Sequence, residues 1–180
     1  MRPFECEPGM EISGQLAISM LHNMQSDSFK TFLAKNGLTE IIPEQWYPFQ
    51  SVLNVFRDVA QQRGATFDFV AVGLDAVDRY DLPPQLAGMS LEEFFLNVLP
   101  KVPGKQYRNG ESTQLLVEKV GEHHLLIRAI TAYPDDTVYG FVYGFARRFA
   151  PRGTHFTVKD DEQTTRRDQG GEETLLHLTW

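Results

Sequence analysis

Two adjacent imidazoles, His123 and His124, are the first residues here whose type and spacing suggest chemistry, since paired ring nitrogens can chelate a metal ion. They open a run, His123 to Ile130, that reads as a β-strand, and strand neighbours point to opposite faces. Only a rearranged turn would let both reach one ion, and no Cys, third His or carboxylate stands nearby at ligand spacing. A structural or solvent-facing pair is the expectation. His22, between Met20 and Met24, is either a partly buried helical imidazole or an axial haem ligand. Without a second haem-binding feature the first reading is preferred. Cys6 is flanked by Glu5 and Glu7, whose charges disfavour a thiolate nucleophile. Asp135-Asp136 and Asp160-Asp161-Glu162 bring carboxylates together, but in turn-like stretches where capping and solvation are their ordinary work. Gly170-Gly171 lacks the strand-before, helix-after setting of a phosphate loop, and no serine lies in a nucleophile elbow. No catalytic signature emerges, so the chain is expected not to be an enzyme.

A second group of residues suggests binding. Arg128 interrupts the apolar run Leu126, Ile127, Ala129 and Ile130, while Tyr107, Tyr133, Tyr139 and Tyr143 cluster around or on an apolar helical stretch. Buried phenols and guanidinium groups require partners, because an unpaired buried polar group costs about 1–3 kcal/mol. These five residues are the candidate ligand-binding set, lining an apolar cavity with a few polar hooks. The alternative is that the rings simply fill a core. For Arg128 the options are solvent, an acidic ligand group, or an internal carboxylate such as Asp135 or Asp136.

The element that must position these residues is Thr137 to Phe149. Val138, Tyr139, Phe141, Val142, Tyr143, Phe145 and Phe149 leave it no polar face before Arg147 and Arg148, so a helix covered on both sides is expected. Gly140 and Gly144 lie one turn apart on one stripe and predict close approach of another backbone. Gln114–Val120 and His123–Ile130 read as a hairpin, and strands succeed them at Phe156–Val158 and Leu176–Trp180. Upstream, helical spacing begins at Ile12 and at Asp27, and a third helix, with Pro48 in its first turn, shows Phe49, Val52, Leu53, Phe56, Val59 and Ala60 and ends at Gly64. Phe67–Arg79 fits helix better than strand, and Ser90 with Glu93 predicts a capping box. Residues 100–112, rich in Pro, Gly and Asn, form the clearest loop. The expected fold is α+β within a single domain, 1–180. Its helical lobe covers about 12–100 and its α/β lobe about 111–180, so that a helical layer packs on a small antiparallel sheet around the buried helix.

Composition narrows the function. At 180 residues the chain can bury a substantial core, and a net charge of −7 argues against non-specific nucleic-acid binding. One cysteine precludes an internal disulfide and suits a reducing compartment. No signal peptide or ~20-residue apolar span is visible, so a cytoplasmic location with no membrane span is expected.

The order of elements in 91–180 resembles the superfamily of haem nitric oxide/oxygen-binding (H-NOX) domains, vinyl-four-reductase small-molecule domains and TRAPP transport subunits. Val138-Tyr139-Gly140-Phe141-Val142-Tyr143-Gly144-Phe145 is similar to its glycine-bearing central helix, and Gly170-Gly171 through Trp180 to its final turn and strand. The resemblance implies an α+β fold with a pocket. It does not extend to the H-NOX haem motif, because Phe94 to Pro100 holds no histidine and Ile127, Ala129 and Thr131 stand where Tyr-x-Ser-x-Arg is expected. Nor are the cysteines common in vinyl-four-reductase domains present. The resemblance thus implies a non-catalytic sensor or regulatory domain for a small apolar or amphiphilic ligand, a tetrapyrrole among the candidates, acting on a signalling partner or as a homodimer. The cofactor is unknown, and haem lacks its expected motif. An assembly subunit with a packed core and no ligand is the alternative.

Overall fold

The computed structural model describes residues 3–24, 27–62, 67–110 and 114–180. The N-terminal part carries four helices, α1 (Gly14–Leu21), α2 (Asp27–Lys35), α3 (Phe49–Ala60) and α4 (Phe69–Asp78). Local chemistry sets two of their starts: the Ser13 hydroxyl accepts from Leu16 N, and the Asp68 carboxylate accepts from Ala71 N. Helix α5 (Leu91–Asn97) has the expected capping box between Ser90 and Glu93. The expected end of the third helix at Gly64 lies outside the described residues.

A small antiparallel sheet that the sequence did not announce ties this part together. It pairs β1 (Glu11–Ser13) with β2 (Trp46–Pro48) and with β3 (Tyr107–Arg108), in the order β2-β1-β3. Strands of two or three residues are too short to alternate visibly: β1 takes Ile12, where the spacing predicts the first helix to begin, so that helix starts only at Gly14, and β3 lies within the 100–112 loop. Pro48 is consequently the last strand residue, immediately before α3.

The C-terminal part is a four-stranded antiparallel sheet, order β4-β5-β7-β6, with β4 (Gln114–Gly121), β5 (His124–Ile130), β6 (Thr157–Asp160) and β7 (Thr174–Thr179). Between β5 and β6 runs α6 (Asp135–Phe149), two residues longer at its start than the spacing predicts and without a side-chain cap. Leu125, Ile127, Ala129, Leu176 and Leu178 are buried in one core cluster with Val138, Val142, Phe145 and Ala146 of α6. Period-2 alternation therefore sends Leu126, Arg128, His177 and Thr179 to the opposite face. The architecture is α+β, with the apolar helix covered by the sheet on one side and by α4 on the other.

Contact between α4 and α6 is backbone against backbone. A Cβ at Gly73 would lie 2.2 Å from the Thr137 carbonyl oxygen, and one at Gly140 would lie 2.1 Å from that of Val70. Gly144 differs: its Cβ would meet only the Val77 side chain, at 3.0 Å. Gly140→Ala should therefore destabilise by overpacking, about 1–3 kcal/mol or more. Gly144→Ala should change stability by under ~1 kcal/mol, since the helix-propensity gain offsets a yielding contact. Urea unfolding of the two variants checks the order, and equal losses would contradict it.

Candidate functional site

A cavity of about 60 Å³ lies where the two core clusters meet. Leu16 and Met20 of α1, Ala76 of α4, Leu115 of β4, and Val138 and Phe141 of α6 supply its apolar wall. Its polar members are Tyr80, Gln106, Tyr107, Thr131, Tyr133 and Thr137. Tyr80 also borders two more open grooves of about 280 and 290 Å³, which places its ring at the cavity's edge.

Two of the five predicted binding residues meet here. The Tyr107 hydroxyl donates to the Tyr133 hydroxyl at 3.1 Å, and both rings pack on Phe49, at 5.0 and 5.3 Å. Two phenols carry two protons and this bond uses one, so the Tyr133 proton remains for another acceptor. Burial, reinforced by Tyr107, raises the Tyr133 phenol well above its ordinary value. Close by, the Thr137 hydroxyl is buried and makes no hydrogen bond among the described residues. The sequence does not point to Thr137: at the start of a helix it reads as a cap, and no pattern marks a first-turn threonine as a cavity residue.

The other three candidates lie elsewhere. Tyr139 and Tyr143 stack at 6.3 Å on a different face of α6, where the Tyr139 hydroxyl donates to the Val158 carbonyl and Tyr143 packs on Phe156. Arg128 projects from the outer sheet face, and its side chain is 42% exposed and paired with Glu173 at 2.5 Å. Neither Asp135 nor Asp136 is its partner. The register explains this: Arg128 pairs with Leu175 on the face opposite Ile127 and Leu176, which are the residues packed on α6.

Asp135 and Asp136 hold the chain after β6 against the start of α6. Asp135 is buried and accepts from Thr174 Oγ1 at 2.5 Å and from Asp168 N at 3.0 Å, while Arg166 bonds Asp136 at 2.5 Å and Asp168 at 3.1 Å. Burial, then Asp135, raises the Asp168 carboxyl above its ordinary value. Cys6 is half-buried with its backbone N–H bonded to Gln50, and burial followed by Glu7 raises its thiol, which agrees with an unreactive cysteine. His22 sits exposed on a 3-10 turn after α1, away from the cavity lining. His123 occupies the β4–β5 turn at φ 52° with its ring against Trp180, and His124 turns the other way.

No family model matches this chain, and no curated protein does. Solved structures do. An H-NOX domain carrying 4-cyano-L-phenylalanine superposes with a TM-score of 0.69 at 16% identity, over 92% of each chain. The fold is that of H-NOX domains. The oxygen complex of an oxygen-binding H-NOX domain related to soluble guanylate cyclases matches with a TM-score of 0.65 at 16% identity, over 92% of this chain and 91% of that one. A T. tengcongensis H-NOX mutant gives 0.66 at 16% identity, over 92% and 93%. The H-NOX likeness thus covers the N-terminal helices as well as the 91–180 region in which the sequence shows it.

Burial and exposure make opposite demands on Tyr133 and Arg128. Tyr133 holds its proton more tightly folded than unfolded, so its contribution is complete below pH ~10 and is lost as pH rises past that value. Alkaline destabilisation should be shallower in Tyr133→Phe than in the parent, as read by melting temperature from pH 8 to 11; parallel curves would refute the burial argument. Arg128→Met should cost only ~0–1 kcal/mol, because a half-exposed pair is screened by solvent. A loss of ~3–5 kcal/mol in urea would instead mark a buried pair.

Proposed function

We propose that this chain is a non-catalytic sensor domain whose ligand is a small, mostly apolar molecule held in the cavity between α1, α4 and α6. The carrying observation is the Thr137 hydroxyl, buried at the cavity wall without a hydrogen-bond partner among the described residues. Leaving such a group unpaired costs about 1–3 kcal/mol, and a ligand bearing one polar atom relieves it. Tyr133 offers its spare proton to the same space. The H-NOX fold adds the general expectation of a ligand-binding sensor, and a partner protein or second copy would read the bound state. Among the described residues no helix is long and apolar enough to cross a membrane.

Haem does not fit the residues present. No histidine or cysteine belongs to the cavity lining, and about 60 Å³ is far below the roughly 300–1,000 Å³ of sites for drug-sized ligands. Tyrosine is a known axial ligand, but it binds as a phenolate, and burial of Tyr133 opposes that form. A molecule of a few heavy atoms suits the space better than any tetrapyrrole.

A second reading, an assembly subunit, draws on Leu116 and Val120 of β4, which are 55% and 45% exposed. Native mass measurement that finds a dimer with no bound small molecule would favour it.

Xenon-129 NMR tests the cavity directly. The parent should bind xenon, and Ala76→Leu, which fills the apolar wall, should abolish binding while keeping the fold. In a parallel experiment, Thr137→Val should raise the stability of the ligand-free protein by about 1–3 kcal/mol. Xenon binding indifferent to Ala76→Leu, or a Thr137→Val protein less stable than its parent, would sink the proposal.

A further inference from the structure

His124 and His177 stand on neighbouring strands, outside the cavity and on the other face of the sheet. In the register His124 faces Thr179 and Leu126 faces His177, so the two imidazoles are diagonal neighbours. Their rings approach to 5.1 Å between centroids, with His124 Nε2 only 2.8 Å from His177 Nδ1. On its far side, His177 Nε2 lies 2.9 Å from Asp161 Oδ2. The result is a carboxylate–imidazole–imidazole line across β5, β7 and the turn after β6.

The protons along this line can be assigned by valence. Asp161 Oδ2 lies 2.9 Å from His177 Nε2, and a carboxylate is an acceptor only. His177 must therefore donate from Nε2, which leaves a lone pair on Nδ1 aimed at His124. A carboxylate that fixes one imidazole nitrogen as a donor and so presents the other as a ligand is the usual support behind a metal-binding histidine. His124 meets that lone pair with an Nε2 proton. Moving this proton to Nδ1 leaves two nitrogen lone pairs facing each other, with no change in net charge.

We propose that His124 Nε2 and His177 Nδ1 form a divalent transition-metal site, oriented by Asp161 and selective for copper(II) or nickel(II) over zinc. Separation argues for the selectivity. At metal–nitrogen distances near 2.0–2.1 Å, two nitrogens at a right angle are roughly 2.9 Å apart, whereas a tetrahedral angle separates them by roughly 3.3 Å. The observed 2.8 Å, the length of the hydrogen bond that joins the rings, is close to the first, so the nitrogens keep their separation while both rings turn to bring their lone pairs onto the ion. Charge agrees, because the groove of about 420 Å³ around the pair holds Asp160, Asp161 and Glu162 against Lys159. Among the described residues no three His, Cys, Asp or Glu side chains are placed to hold one ion, so water completes the coordination. Adjacent His123, the more obvious partner in sequence, takes no part.

The test uses the full chain titrated with Cu²⁺, Ni²⁺ and Zn²⁺, with copper also followed by electron paramagnetic resonance. One Cu²⁺ should bind with hyperfine structure from two nitrogens, and affinity should fall in the order Cu²⁺, Ni²⁺, Zn²⁺ once the geometry is tetragonal. His124→Gln and His177→Gln should each remove one nitrogen from the spectrum. Asp161→Asn should retain both nitrogens and weaken binding about 10–100-fold. Copper protection of His124 and His177 against diethyl pyrocarbonate, mapped by mass spectrometry, gives the same answer in the unaltered chain. A two-nitrogen spectrum that survives both histidine variants, no copper protection at these two positions, or zinc binding as tight as copper would overturn the assignment.

Discussion

The contact on which the rest of the molecule depends is the one between α4 and α6 at Gly73 and Gly140. Each glycine leaves room for a carbonyl of the opposing helix, and a methyl group at either would meet that oxygen at about 2 Å. The two main chains are therefore in direct contact at these points. This brings Val77 of α4 into the core cluster of α6 and the sheet, while Val72 and Ala76 of the same helix belong to the cluster around α3. One helix thereby joins two cores that the sequence presents as separate lobes.

That junction also explains why a cavity exists and why it is small. Close packing at Gly73 and Gly140 fixes the first half of α6, including Thr137 and Phe141, at a set distance from α1 and the chain near Gln106. Tyr107 and Tyr133 then pack as a hydrogen-bonded pair against Phe49. A pair of phenols occupies space that apolar side chains would fill more completely, and it brings polar oxygens into a site otherwise walled by Leu16, Met20, Ala76 and Val138. Buried polar groups of this kind are costly unless something satisfies them, which is why they serve better as indicators of a site than the apolar lining does.

Much of the architecture is legible in the sequence because it rests on patterns that repeat. The apolar helix, the hairpin, the capping box at Ser90 and the last strand are each specified by many residues pointing the same way. The small β2-β1-β3 sheet is not legible, since two- and three-residue strands give alternation too little length to show. The candidate site is less legible for a related reason. Tyr107 and Tyr133 stand out because large amphipathic side chains near a buried helix are conspicuous, whereas Thr137 and Gln106 carry no sequence signal. Arg128 reads as inward because its neighbours are apolar on both sides. Leu126 and Ile130 in fact lie on the outer face with it, and only the pairing of β5 with β7 fixes which face is covered. His124 and His177 cannot be joined without that same register, being 53 residues apart.

The relation to H-NOX domains is best understood as a separation between what holds a fold and what gives it a cofactor. At 16% identity the match still spans more than nine-tenths of the chain, because alternation along four strands and close approach of two helices can be met by many sequences. A cofactor site depends instead on a few side chains at defined points, and a handful of substitutions removes it without disturbing the core. In this chain Tyr107 and Tyr133 line the space beside α6, α4 packs closely on that helix, and the cavity lining offers no imidazole. The same framework here encloses a small, partly polar cavity of about 60 Å³.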